Sequence, residues 1–239
     1  MSKILWKNKK INIKKSNLYS FEKFISKKYD LSLDNNFIKI WKWSIKNSKL
    51  FWSSIWEFFC IKGKIGKTLF IKSKIFYKNK FLPDYYLNFS ENLLQKTDSS
   101  KAITFISENG YREIRSWKDL KNNTIKISNW LKKNKIKKND RIAAYLPNYI
   151  ETVEAYLAST SIGAIWSSCS PDFGSNGVIE RFSQIKPKVL FVTNEYFYNG
   201  KRINVLERIP EIIKKIPTIK HVVISNYPGQ FKIKKLPKY

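Results

Sequence analysis

Residues 139–174 read NDRIAAYLPNYIETVEAYLASTSIGAIWSSCSPDFG, and the fold is decided there. An apolar, β-prone run at 141–146 meets a Pro147-Asn148 break. Apolar residues then recur at helical spacing (Ile150, Val153, Tyr156, Leu157), and a small-residue turn follows at 167–174. Strand, break, helix and turn make one half of a parallel βαβ unit, because a parallel strand needs a crossover to return.

Downstream the alternation continues. GVIERFSQI at 177–185 has helical spacing and is stopped by Pro187. KVLFVT at 188–193 is a continuous apolar run of the kind buried on both faces of a parallel sheet. An amphipathic helix is predicted over 204–215 (Val205, Leu206, Ile209, Ile212, Ile213), ended by Pro217, and KHVVIS at 220–225 reads as another buried strand. Upstream, 101–108 reads as a strand, Asn109-Gly110 as a tight turn and 111–116 as the partner strand. Residues 117–131 form a helix. Strands and helices alternating at these lengths predict a doubly wound α/β domain with a parallel sheet, placed here at 96–239.

Residues 1–95 read as a helical cap region. Phe21, Phe24 and Tyr29 suit a short helix, and 36–61 carry spacings of three and four that predict two amphipathic helices parted near Lys46-Asn47-Ser48. So many large rings in a short segment need a large surface to pack against. LFWSSIWEFFCI at 50–61 is too short to span a bilayer and contains Glu57. The start, MSKILWKNKKINIKK, lacks an apolar core of signal-peptide length. GKIGKT at 63–68 imitates a phosphate loop, but Ile61 stands where a Walker motif needs its first glycine, so a solvated loop is expected. In LPDYYLNFSENLLQ, 82–95, Asn88, Ser90 and Glu91 suit a helix start.

The net charge is +28, yet only six of the 46 basic residues are arginine and the lysines run along the whole chain. A nucleic-acid surface gathers its cations and interleaves exposed aromatics. Here the aromatics sit at core-like spacing, and the enrichment in Lys, Ile, Asn, Phe and Tyr fits AT-rich codons. Neither a nucleic-acid nor a membrane partner is expected. Cys60 and Cys169 are far apart with no CxxC and no nearby histidine, which argues against a disulfide framework or a metal site and suits a reducing, cytoplasmic setting. The single histidine, His221, reads as a strand-end residue.

Ligands bind beyond the carboxyl ends of strands in open α/β sheets. Two such ends are informative: the turn at 167–174, and the loop NEYFYNGKR at 194–202, where Gly200 permits close backbone approach and Lys201-Arg202 could meet a phosphate. A glycine turn with solvated cations explains the second equally well.

Four blocks taken together, LPDYYLNFSENLL (82–94), GAIWSSCSPDFG (163–174), ERFSQIKPKVLFV (180–192) and YFYNGKR (196–202), resemble the acetoacetyl-CoA synthetase branch of the acyl-adenylate-forming, AMP-dependent ligases. The resemblance runs over about 37–228. It implies a carboxylate attacking the α-phosphate of ATP to give an acyl-adenylate, from which the CoA thiol displaces AMP. ATP, CoA and Mg2+ are the implied cofactors, and a short-chain acid the substrate. Aligned by position, the segment that contacts the CoA nucleotide falls on Tyr198, Asn199, Gly200 and Lys201. Lys201 could pair with a CoA phosphate, while Tyr198 stands where the family has arginine. The family's Ser/Thr/Gly-rich phosphate loop, its adenine and ribose motifs, its hinge and its adenylation lysine do not occur among these residues. The resemblance therefore implies the N-terminal part of a ligase, with an incomplete parallel-sheet domain, no catalytic residue and no metal ligand. It would be inactive alone, with a separately encoded C-terminal part as a potential partner. A non-catalytic remnant or CoA-binding subunit is the alternative.

Overall fold

The computed structural model describes residues 13–228. The charged start at 1–12 and the basic ending at 229–239 lie outside them. The chain divides into two compact units, Met1–Leu87 and Asn88–Tyr239.

The first unit is built on α1 (Asn17–Tyr29), α2 (Phe37–Lys46) and α3 (Ser48–Phe58). Ser16 caps α1 by accepting the Tyr19 amide at 3.2 Å, and Asn36 caps α2 by accepting the Ile38 amide at 2.9 Å. Asn47 separates α2 from α3, as the spacing predicts. Phe21, Ile25, Leu33 and Ile40 form the buried centre, with Phe51 and Phe58 edge-on to Phe21. Glu22 is buried there and accepts the Asn35 amide at 2.7 Å, so its carboxylate is not left without a donor. Two short antiparallel ladders follow. β1 (Gly63–Lys64) pairs with β4 (Tyr86–Leu87), and β2 (Phe70–Ile71) pairs with β3 (Lys80–Phe81).

The second unit opens with α4 (Phe89–Leu93), capped by Asn88, then the hairpin β5 (Lys101–Ile106) and β6 (Arg112–Ser116), then α5 (Trp117–Lys133). The sheet strands are β7 (Arg141–Tyr145), β8 (Ile165–Cys169), β9 (Val189–Thr193) and β12 (His221–Ser225), all parallel, in the order β12-β9-β7-β8. Between them run α6 (Ile150–Ser161), α7 (Ser175–Ile185), the hairpin β10 (Glu195–Tyr198) and β11 (Lys201–Asn204), and α8 (Ile209–Lys215).

Strand alternation sorts the core onto two faces. Ala143, Tyr145, Leu190 and Val192 pack with Val178 and Phe182 of α7 and Ile209 and Ile212 of α8. Ile142, Ala144, Val189 and Phe191 pack with Leu131 of α5 and Ala155 and Ala158 of α6. Both faces are thus covered, which is the doubly wound arrangement expected. β9 is buried along its whole length, whereas β12, at the sheet margin, is half-buried throughout.

Three expected boundaries are corrected. Residues 167–169, expected to open the turn, instead complete a strand over 165–169: β8 is a margin strand, in which Ser167 is half-buried and Ser168 exposed, and it needs no deep core. Residues 195–204 are a hairpin, not a loop. The helix expected from 204 starts at Ile209, because Pro210 lacks an amide hydrogen and fits only the first turn.

Candidate functional site

The carboxyl ends of β7, β8, β9 and β12 are tied together by residues just past them. Asn194, buried after β9, donates its amide to Ser225 O (3.0 Å) and accepts the Val205 amide on its carbonyl (3.0 Å). Its side-chain Oδ1 accepts the Tyr227 amide at 2.7 Å. One asparagine therefore joins the ends of β9, β11 and β12.

The β10–β11 hairpin projects from this point. Its base is held by an ion pair between the buried Glu195 and Arg202, and by Thr193 Oγ1 donating to Glu195 O at 2.7 Å. At its tip, Asn199 (φ 50°) and Gly200 (φ 72°) both take positive φ, the geometry of a type I′ turn, for which Asn-Gly is the favoured pair. All four residues expected at the CoA contact are on this tip. Tyr198 is 57% exposed at the end of β10, Asn199 and Gly200 make the turn, and Lys201 begins β11, exposed. Beyond its two chain neighbours, nothing lies within 4 Å of where a Cβ on Gly200 would stand.

The structure brings the expected 167–174 turn beside β10, where Tyr196 meets Asp172. Residues 170–174 follow β8 and are held from below: Tyr145 Oη donates to Pro171 O at 3.1 Å, and Arg208 Nη1 donates to Tyr145 Oη (2.6 Å) and Pro171 O (2.8 Å). Burial pushes the Tyr145 phenol up, with Arg208 pulling against it. Arg181 lies over the Phe173 ring at 4.1 Å. Tyr196 on β10 links the loops; burial and then the Asp172 carboxylate beside it push its phenol up. Cys169, at the end of β8, is pushed up to about 11 by burial, so it stays a thiol at neutral pH and is no nucleophile.

Sequence reasoning missed Asn194, Tyr145 and Arg208. Their partners lie 11 to 63 residues away, and no local spacing reveals that.

Fit to the implied groups differs. The exposed Lys201 and the open Gly200 turn suit a phosphate of CoA. GKIGKT does not suit ATP: the Lys67 and Thr68 amides already donate to the Asp84 carboxylate at 2.8 and 3.1 Å, and a Cβ on Gly66 would collide with that carboxylate. The Lys67 amide, outweighing desolvation, holds Asp84 below the usual carboxylate range. For Mg2+, no group of three His, Cys, Asp or Glu side chains converges among the described residues. A cavity of about 570 Å³ lies elsewhere, over the α5–α6 face, lined by Trp130, Leu146, Glu151, Phe191, Val223 and Ser225. Among the described residues no helix is long and apolar enough to cross a membrane.

Comparison with known proteins gives a consistent result. An acetoacetyl-coenzyme A synthetase of Rhizobium meliloti is 38% identical over 179 residues, covering 74% of this chain and 28% of that protein. An acetoacetyl-CoA synthetase of Danio rerio is 34% identical over 234 residues, covering 95% of this chain and 34% of that protein. The solved acetoacetyl-CoA synthetase from Streptomyces lividans superposes with a TM-score of 0.85 at 24% identity over 93% of this chain and 35% of that one, which establishes the fold. The chain spans about a third of the length of the relatives it matches. The family model for AMP-binding enzymes matches residues 91–237, and the chain belongs to that family.

Proposed function

We propose that this chain corresponds to the first third of an ATP-dependent acid–CoA ligase, with acetoacetate as the acid. The whole enzyme would convert acetoacetate, ATP and CoA into acetoacetyl-CoA, AMP and diphosphate through an acyl-adenylate. One observation carries this reading: chains named for that reaction align with this one over up to 95% of its length. The contribution of these residues is binding. The type I′ turn would present the Gly200 amide and the Lys201 ammonium to a phosphate of CoA, with Tyr198 and Asn199 flanking. A lysine there acts as a point charge and not as a bidentate fork.

The adenylation step is not routed through the described residues, which present no phosphate clamp for the charge that develops on ATP. The free thiols of Cys60 and Cys169 favour a reducing, cytoplasmic setting.

Acetoacetate-dependent exchange of pyrophosphate into ATP tests the proposal. It is expected to be absent from the purified chain and present when the chain is fused to the rest of the Rhizobium meliloti relative. Turnover by the chain alone would refute its expected inactivity. A well-folded fusion that prefers another acid would remove acetoacetate as the substrate.

A further inference from the structure

The Gly200 amide, on which the CoA contact depends, already has an acceptor. It donates to Oε2 of Glu108 at 3.3 Å, a residue 92 positions earlier in the chain. Glu108 stands on the turn between β5 and β6, whose shape is fixed locally. The Gly110 amide donates to Ser107 O at 3.0 Å and the Tyr111 amide to Asn109 Oδ1 at 3.2 Å.

The two hairpins are braced against each other by Tyr227. Its buried ring lies 6.3 Å from Phe105 of β5, edge-on, and 5.8 Å from Phe197 of β10. Its amide is fixed by Asn194. A packed aromatic base therefore delivers the Glu108 carboxylate to the tip of the neighbouring hairpin. Glu108 itself is exposed, so it can swing into water without moving the backbone. A carboxylate oxygen on a backbone amide beside a lysine offers the same contact as a phosphate oxygen, at lower charge.

We propose that Glu108 is an intramolecular competitor of phosphate at the β10–β11 turn. It caps the Gly200 amide while no ligand is bound, must leave when a phosphate of CoA arrives, and so sets the affinity of the turn for anions. This rests on the CoA reading above. Because the site is exposed, the like-charge cost is modest, corresponding to about a two- to five-fold change in affinity at low salt.

Calorimetric titration of CoA into the whole 1–239 chain tests it, using the parent, Glu108→Gln, Glu108→Ala and Lys201→Ala. Glu108→Gln keeps size and an acceptor oxygen but removes the charge. It is expected to bind CoA about two- to five-fold more tightly, with the gain disappearing near ~1 M salt. Glu108→Ala should tighten binding as well. Lys201→Ala is expected to weaken it by a similar factor. If Lys201→Ala weakens binding but neither Glu108 variant tightens it, the competitor proposal fails and the CoA reading stands. Weaker binding by both Glu108 variants would make Glu108 a support of the turn and would overturn the proposal. If Lys201→Ala has no effect, or if neither parent nor Glu108→Gln binds CoA, the CoA reading falls and the proposal with it.

Discussion

Arg208 Nη1 lies 2.6 Å from Tyr145 Oη, across 63 residues of sequence, and this contact closes the floor beneath the 170–174 loop. The phenol is fully buried, and it passes its own hydrogen on to the loop carbonyls. Arg208→Ala leaves that hydroxyl and the Pro171 carbonyl short of a charged donor. The expected loss is about 2 kcal/mol of stability, read as a lower urea midpoint at unchanged slope. In a double-mutant cycle with Tyr145→Phe, the coupling should reach about 1 kcal/mol; additivity would mean the contact contributes nothing specific.

Three carboxylates surround one guanidinium where β6 meets α6. Arg115 approaches Glu154 (Nε to Oε1, 2.9 Å), Glu113 (3.0 Å) and, more distantly, Glu151 (3.8 Å). Asn123 donates to Glu154 at 2.9 Å. Burial, with neighbouring carboxylates adding to it, raises both Glu151 and Glu154 above the ordinary range. For a raised folded-state pKa the sign is definite. The contribution to stability is fully present below the unfolded pKa and is lost as pH rises through the folded one. Glu151→Gln is therefore expected to stabilise the chain at neutral pH by about 0.5 kcal/mol and to flatten the pH dependence just above the usual carboxylate range. Thermal melts from pH 5 to 8 would show it, and an unchanged profile would count against the cluster as the cause.

Gly200 has open space around it, so a side chain there meets strain and not collision. At φ 72° an alanine costs about 1 kcal/mol and a β-branched residue more. Gly200→Val should lower the melting temperature further than Gly200→Ala, whereas Asn199→Gly should be tolerated. The reverse order would mean that the turn is not type I′ in solution.

Cys60 is exposed and Cys169 is buried, with its thiol pushed up to about 11. Iodoacetamide at pH 8 is expected to modify Cys60 first and Cys169 only once denaturant opens the sheet. Peptide mass spectrometry after timed quenching separates the two. Equal rates in the native chain would mean that β8 frays readily.

Much of this was legible in the sequence because local pattern and final environment agree. KVLFVT is apolar without alternation and is buried along all of β9. Asn47 breaks the aromatic segment where the spacing does. Legibility failed where a residue's environment is made by distant chain. The Ser-Ser-Cys of β8 looks like a turn until β7 lies beside it, and Asn-Gly at 199–200 looks like a loop until its flanking strands are seen to pair. The resemblance located Tyr198–Lys201, but nothing near them in sequence discloses that Glu108 reaches the same tip.

The strand order β12-β9-β7-β8 also bears on how the chain is born. β7 is made before either strand that flanks it, and its second neighbour is complete only at Thr193, 48 residues after Tyr145. At ~5–20 residues per second, a nascent chain leaves the Ile142–Tyr145 backbone without one of its ladders for roughly 2–10 s of synthesis. Over that interval one edge of this apolar strand stays unpaired on the ribosome-bound chain. Among the four sheet strands, vectorial synthesis thus makes β7 the one for which a chaperone has the longest time to compete.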